Sequence, residues 1–303
     1  MLYYDKSITE KLPELVNYFK SGINDANKNI GHCILFWGAD IKTQCELALE
    51  IARLLNCKEN SEGDCDCLNC RWVREQTHPA VKIYTRLDFK EASDKSGEDE
   101  DNGSTGKKNI TISQARGIIS ELAVTSDYHR VYIFCDRDED GNLLPLNKQN
   151  FQEPTANALL KTFEEPPQNT TFIFLTNDKS DIISTVVSRA QSFFVPSFIK
   201  ETNSYDLVAN FLNNYWNIER NEVLNFEEQL LNLADENNLT EVFEQMQSYL
   251  LNLMSTNFEN KLLFNRLMRD LEYIETAKRQ ANLTPPMLNS VICENLAFKM
   301  ILS

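Results

Sequence analysis

Pro166 and Pro167 stand between a helical pattern and an unbroken apolar run, and this junction constrains the fold more than any other stretch of the chain. Leu159, Leu160 and Phe163 recur at helical spacing, and two successive prolines forbid that helix from continuing. The run that follows, Thr171-Phe172-Ile173-Phe174-Leu175-Thr176-Asn177, is predicted to be a strand. A second helix ending near Ser188-Arg189 and a short strand at 193–195 complete the unit. A strand apolar on both faces belongs to a parallel sheet covered on each side by helices.

The same alternation runs upstream. Residues 8–28 read as an amphipathic helix with Leu12, Leu15, Val16 and Phe19 on one side. Residues 31–38 read as a strand, 43–56 as a helix, 81–84 as a strand, 112–123 as a helix and 130–136 as a buried strand. Residues 1–197 are therefore predicted to form a three-layer α/β domain. Residues 90–108 are polar, acidic and almost without apolar anchors, and are read as a disordered surface insertion. After Pro196 no strand pattern is found. Helices are predicted at 207–215, 226–234, 239–254, 262–281 and 285–300, with Thr284 marking the start of the last, so 198–303 is read as an all-α region.

Composition narrows the function classes. No apolar run approaches the roughly 20 residues that span a bilayer. The N-terminus, Met-Leu-Tyr-Tyr-Asp-Lys, lacks the basic region and apolar core of a signal peptide, so a cytoplasmic protein without a membrane partner is expected. A net charge of −15 favours protein partners over a direct grip on phosphate backbones.

The strand at 31–38 runs into a helix through a turn, which is where phosphate loops occur. A working loop needs Gly-x-x-x-x-Gly-Lys-Ser/Thr, with glycines that let backbone N–H groups wrap the phosphates. This chain has Phe36-Trp37-Gly38-Ala39-Asp40-Ile41-Lys42-Thr43. Lys42 and Thr43 stand where the lysine and the Mg²⁺-binding hydroxyl belong, but Phe36 and Ile41 fill both glycine positions and Asp40 adds an anion. Asp136, at the end of the buried strand, is the candidate Mg²⁺ carboxylate, and Arg137 follows it where a hydrolysing enzyme carries the water-positioning Glu. The loop is read as degenerate, without ATP hydrolysis and without useful ATP binding. Four cysteines cluster as Cys57-x7-Cys65-x-Cys67-x2-Cys70, a density that fits a structural Zn²⁺ site of four thiolates. Cys33, Cys45, Cys135 and Cys293 lie on apolar faces and are read as core.

Asn157-Ala158-Leu159-Leu160-Lys161-Thr162-Phe163-Glu164-Glu165-Pro166-Pro167, the strand after it and Ser188-Arg189-Ala190 together resemble the clamp-loader branch of the AAA+ ATPases. Phe163 replaces that family's usual Leu, and Ala190 its usual Cys. The resemblance covers 31–196, includes the helix at 112–122, and is weaker beyond. It implies an AAA+ α/β domain carrying a zinc module at 57–70, followed by a reduced lid and a collar for oligomerisation. The family's cysteine spacing would put Asp64 at the second ligand position, with Cys65 the softer ligand. It further implies that Arg189 acts as an arginine finger on ATP held by a neighbouring subunit. The expected partners are gamma/tau motor subunits and a delta subunit in a hetero-pentamer, with the sliding clamp and primed DNA reached through the complex. Two other readings are an ATP-hydrolysing gamma/tau-like motor and a non-replicative adaptor derived from the same fold.

Overall fold

The computed structural model describes residues 8–24, 30–59, 65–86, 110, 112–138, 140–197, 206–257, 260–285 and 287–302. The chain divides into two compact units, Met1–Ser197 and Phe198–Ser303.

The first unit opens with two helices, α1 (Ile8–Lys11) and α2 (Pro13–Asn24), where the periodicity predicts one. Pro13 supplies no amide, so the break falls immediately before it, while Leu12 and Val16 still donate to the carbonyls of Ile8 and Leu12. The remaining positions of the predicted helix, 25–28, lie outside the described residues, as does the segment at 90–108. Next come β1 (Cys33–Trp37), α3 (Ile41–Asn56), α4 (Leu68–Arg74), β2 (Val81–Tyr84), α5 (Ile112–Leu122) and β3 (Arg130–Phe134). A two-strand hairpin, β4 (Asp136–Arg137) with β5 (Leu143–Leu144), precedes α6 (Glu153–Glu164) and β6 (Thr170–Thr176). One turn of helix, α7 (Ser184–Val187), then leads into β7 (Gln191–Phe194).

Five strands form one sheet in the order β2-β3-β6-β1-β7, every neighbouring pair parallel. Every residue of β1, β3 and β6 is buried, as a sheet covered on both faces requires. Alternation then sorts the side chains. Cys33 and Leu35 join Tyr132, Phe134, Phe172 and Phe174 in the core shared with α5 and α6. Rings stack across neighbouring strands there, Phe134 on Phe174 at 5.0 Å and Tyr132 on Phe172 at 5.6 Å, and Phe163 meets both Phe172 and Phe174 edge-on. Phe36 points to the opposite face and packs against Phe19 and Phe193. Phe36, at the motif's first glycine position, is thus a strand residue locked in the core.

The second unit is helical: α8 (Asp206–Ala209), α9 (Val223–Glu236), α10 (Leu239–Thr256), α11 (Lys261–Ala281) and α12 (Asn289–Leu302). The helix predicted at 207–215 closes after one turn. It ends at Ala209, and farther on Asn214 adopts the left-handed region at φ 56°, a conformation that bars a continuous helix from reaching 215. The last helix starts at Asn289 rather than at Pro285, because Pro285 is itself followed by a proline, which disfavours helical angles. Among the described residues, no helix is long and apolar enough to cross a membrane.

Candidate functional site

The turn after β1 is closed by its own side chains. Gly38 has φ +142°, and a Cβ there would stand 2.1 Å from the Val195 carbonyl oxygen, so glycine is required. The Gln44 amide donates to the carbonyls of Gly38 at 2.8 Å and Thr176 at 3.1 Å, tying the turn to the ends of β1 and β6. Asp40 caps α3: its carboxylate accepts from the Thr43 amide at 3.0 Å and from the Thr43 hydroxyl at 2.6 Å. Both groups that would meet a phosphate and its Mg²⁺ are thus engaged by a buried carboxylate of the same chain. Lys42 points away, with its side chain 69% exposed and its Nζ 3.9 Å from Glu46.

Asp136 is equally occupied. Arg86 Nε lies 3.2 Å from one carboxylate oxygen, which also accepts from Asn150 Nδ2 at 3.1 Å, and the Arg86 amide donates to the other at 3.4 Å. Arg86 and Asn150 lie 50 and 14 residues away, and no sequence pattern links them to Asp136.

Cys57, Cys65, Cys67 and Cys70 come together, their sulfurs all within 4.8 Å of one another. Cys57 closes the end of α3 and Cys67 opens α4, so two helix ends fix two ligands. A tetrahedral zinc with Zn–S bonds of about 2.3 Å sets its sulfurs roughly 3.8 Å apart, so a contraction of about 1 Å or less suffices. The donor set therefore fits Zn²⁺ with no position left open for water, as in a structural site. Asp64 lies outside the described residues. His78 is not in the group; its Nδ1 accepts from the Ala80 amide at 3.2 Å, and burial lowers its pKa. Burial works to raise Cys67, but hydrogen bonds from the backbone of Cys70 and Lys58 and from the Cys70 and Cys65 side chains together lower the thiol to about 7.

Arg189 follows α7. Its Nε donates to Glu164 Oε1 at 2.7 Å, and Nη2 pairs with the same oxygen. Nη1 donates to the Thr185 carbonyl at 2.8 Å and to Ser188 Oγ at 3.3 Å. The Arg189 and Glu164 side chains are 30% and 46% exposed, so this is a surface pair. Arg189 lies close enough to Cys33 to oppose the burial that pushes that thiol up to about 12. Gln191, two residues on, pairs with Ile34, so Arg189 stands near the start of β1, whereas the capped turn follows its end, about 13 Å away at strand rise. Sequence patterns do not reveal Glu164 as a partner, although it sits in the same Glu-Glu-Pro-Pro run that announces the fold.

A five-stranded parallel sheet between helices, followed by a helical C-terminal unit, is consistent with an AAA+ clamp-loader fold. The family model described as "DNA polymerase III, delta subunit" matches residues 11–198, and the chain belongs to that family. It is 22% identical over 190 residues to DNA polymerase III subunit delta' of Bacillus subtilis, covering 62% of this chain and 48% of that protein. It is 24% identical over 188 residues to subunit delta' of Haemophilus influenzae, covering 61% and 49%. Subunit tau of Bacillus subtilis is 28% identical over 166 residues, covering 55% of this chain and 25% of that protein. The chain thus spans about half the length of the delta' relatives it matches.

Proposed function

We propose that this chain is a delta'-like subunit of the replicative clamp loader that does not hydrolyse ATP. In this reading it assembles with gamma/tau motor subunits and a delta subunit in a hetero-pentamer and acts on the sliding clamp and primed DNA through that complex. The observation that carries the reading is the Asp40 cap. A buried carboxylate already holds the Thr43 amide and hydroxyl, Lys42 points to solvent, and Asp136 is paired with Arg86. An incoming nucleotide would have to displace these internal contacts and face an extra negative charge.

Arg189 has the opposite character. A surface ion pair is worth about 0–1 kcal/mol, so exchanging Glu164 for a phosphate on a neighbouring subunit has little to overcome. A planar, permanently charged fork suits the oxygens of a transferring phosphoryl group. The helical unit would serve as lid remnant and collar. Cys57, Cys65, Cys67 and Cys70 would hold a structural Zn²⁺ with no part in the chemistry. A cytoplasmic location goes with this assembly.

The similarity to subunit tau supports a second reading, an ATP-hydrolysing motor. Nucleotide binding by the isolated chain separates the two. Titration with a fluorescent ATP analogue is expected to show no saturable binding at micromolar concentrations, and tight binding would favour the motor.

A further inference from the structure

The four-sulfur cluster has a buried cation behind it. Arg53 and Glu50 lie one turn apart on α3, only 5% and 2% exposed. Arg53 Nε and Nη2 donate to the two Glu50 carboxylate oxygens at 2.8 and 2.6 Å. The remaining nitrogen, Nη1, reaches Cys70 Sγ at 3.6 Å. A guanidinium is planar, so two nitrogens fixed on a carboxylate leave the third aimed in a set direction.

Burying this pair is not explained by stability alone, because apolar residues of similar volume usually serve as well or better. Its charge gains a purpose once the cysteines are ionised. Four thiolates around a divalent cation carry a net charge of about −2, and Arg cannot shed its own charge to escape burial. An N–H donor on a ligand sulfur both orients that sulfur and spreads its charge.

We infer that Arg53, oriented by Glu50, is a positioning residue of the cysteine site: it directs Cys70 Sγ toward the other three sulfurs and offsets the charge that develops when zinc is bound. The inference rests on the zinc reading and ties the knuckle to the helix that Asp40 caps.

The test uses the full chain, a Glu50→Leu/Arg53→Met double variant and an Arg53→Lys variant. The double variant removes the guanidinium together with its carboxylate partner Glu50, and lysine keeps the charge but loses the fork. Zinc content is measured by elemental analysis and affinity by competition against a chromophoric chelator, with the thiolate-to-Co²⁺ absorption reporting ligand geometry. The wild type is expected to bind zinc stoichiometrically, the double variant to bind it about 10–100-fold more weakly, and the lysine variant to fall between. Should the double variant not fold, the lysine variant decides. A zinc-binding wild type whose folded variants stay within about twofold of it overturns the role of Arg53 and leaves the zinc reading standing. A fully reduced wild type that takes up no zinc removes both.

Discussion

The two ends of β1 treat polar groups in opposite ways. Beyond Trp37 they are turned inward: Asp40 caps α3 through Thr43, Gln44 ties the turn to Thr176, and Asp136 is held by Arg86 and Asn150. At the Cys33 end the Arg189 side chain is turned outward, on the surface and paired to a half-exposed Glu164. Buried hydrogen-bonded groups are expensive to rearrange because each orphaned partner loses its solvation, whereas a surface pair can be exchanged for solvent or a ligand at small cost. One end of the strand commits its polar groups to internal contacts, and the other leaves a surface ion pair.

The comparison breaks most easily at Gly38. Gly38→Ala drives a Cβ onto the Val195 carbonyl and forces a left-handed angle, and should destabilise the first unit by about 2–3 kcal/mol in denaturant titration. Wild-type stability in that variant would mean that the turn is not locked by its backbone.

The helical unit tests the inward logic independently. Asp270 is fully buried; its Oδ2 accepts from the Tyr215 hydroxyl at 2.6 Å, and its Oδ1 accepts no hydrogen bond among the described residues. Burial raises its pKa from 3.8 to about 6, against the pull of Tyr215, Arg266 and Arg269. A raised carboxylate pKa means that the folded state binds the proton more tightly than the unfolded chain. This contribution is therefore greatest below pH 4 and lost as pH rises through about 6. Two pKa units correspond to roughly 3 kcal/mol. The stability difference between wild type and Asp270→Asn should thus fall between about pH 4 and 6.5 and then level off. A flat difference would show that Asp270 titrates normally.

Asp40→Ala sharpens the contrast at the turn itself. Loss of the cap should cost about 1–2 kcal/mol in thermal or chemical unfolding, yet confer no ATP binding, since Lys42 still points to solvent and Asp136 remains paired. Micromolar ATP affinity in this variant would show that one carboxylate alone had kept the site shut. The smallest effect belongs to the outward end, where Glu164→Ala should change stability by less than about 1 kcal/mol. A larger loss would make the Arg189 pair a structural contact.

The sheet was legible because its strands carry apolar runs too continuous for any half-exposed setting, as in Thr170–Thr176 and Arg130–Phe134. The clustering of the cysteines was legible because their density and spacing in one short segment mark a four-sulfur group. Helix ends were less so: the left-handed Asn214 within the predicted 207–215 helix and the prolines at 285–286 act through backbone angles that periodicity does not register. Asp40 was visible as an anion near the turn, but its role as a cap depends on a geometry set by β1 and α3. The partners of Asp136 and Arg189 were illegible, since Arg86, Asn150 and Glu164 reach them only through the fold.

The measurement that bears most directly on the division between the two ends is ATP turnover by the cognate motor subunits, assembled with a delta subunit, clamp and primed DNA. It is run without this chain, with it, and with its Arg189→Ala form. Strong stimulation by the wild type and a loss of about 10³-fold or more from the completed site with Arg189→Ala is the predicted result. Equal stimulation by both forms would contradict an arginine delivered from the outward end of β1.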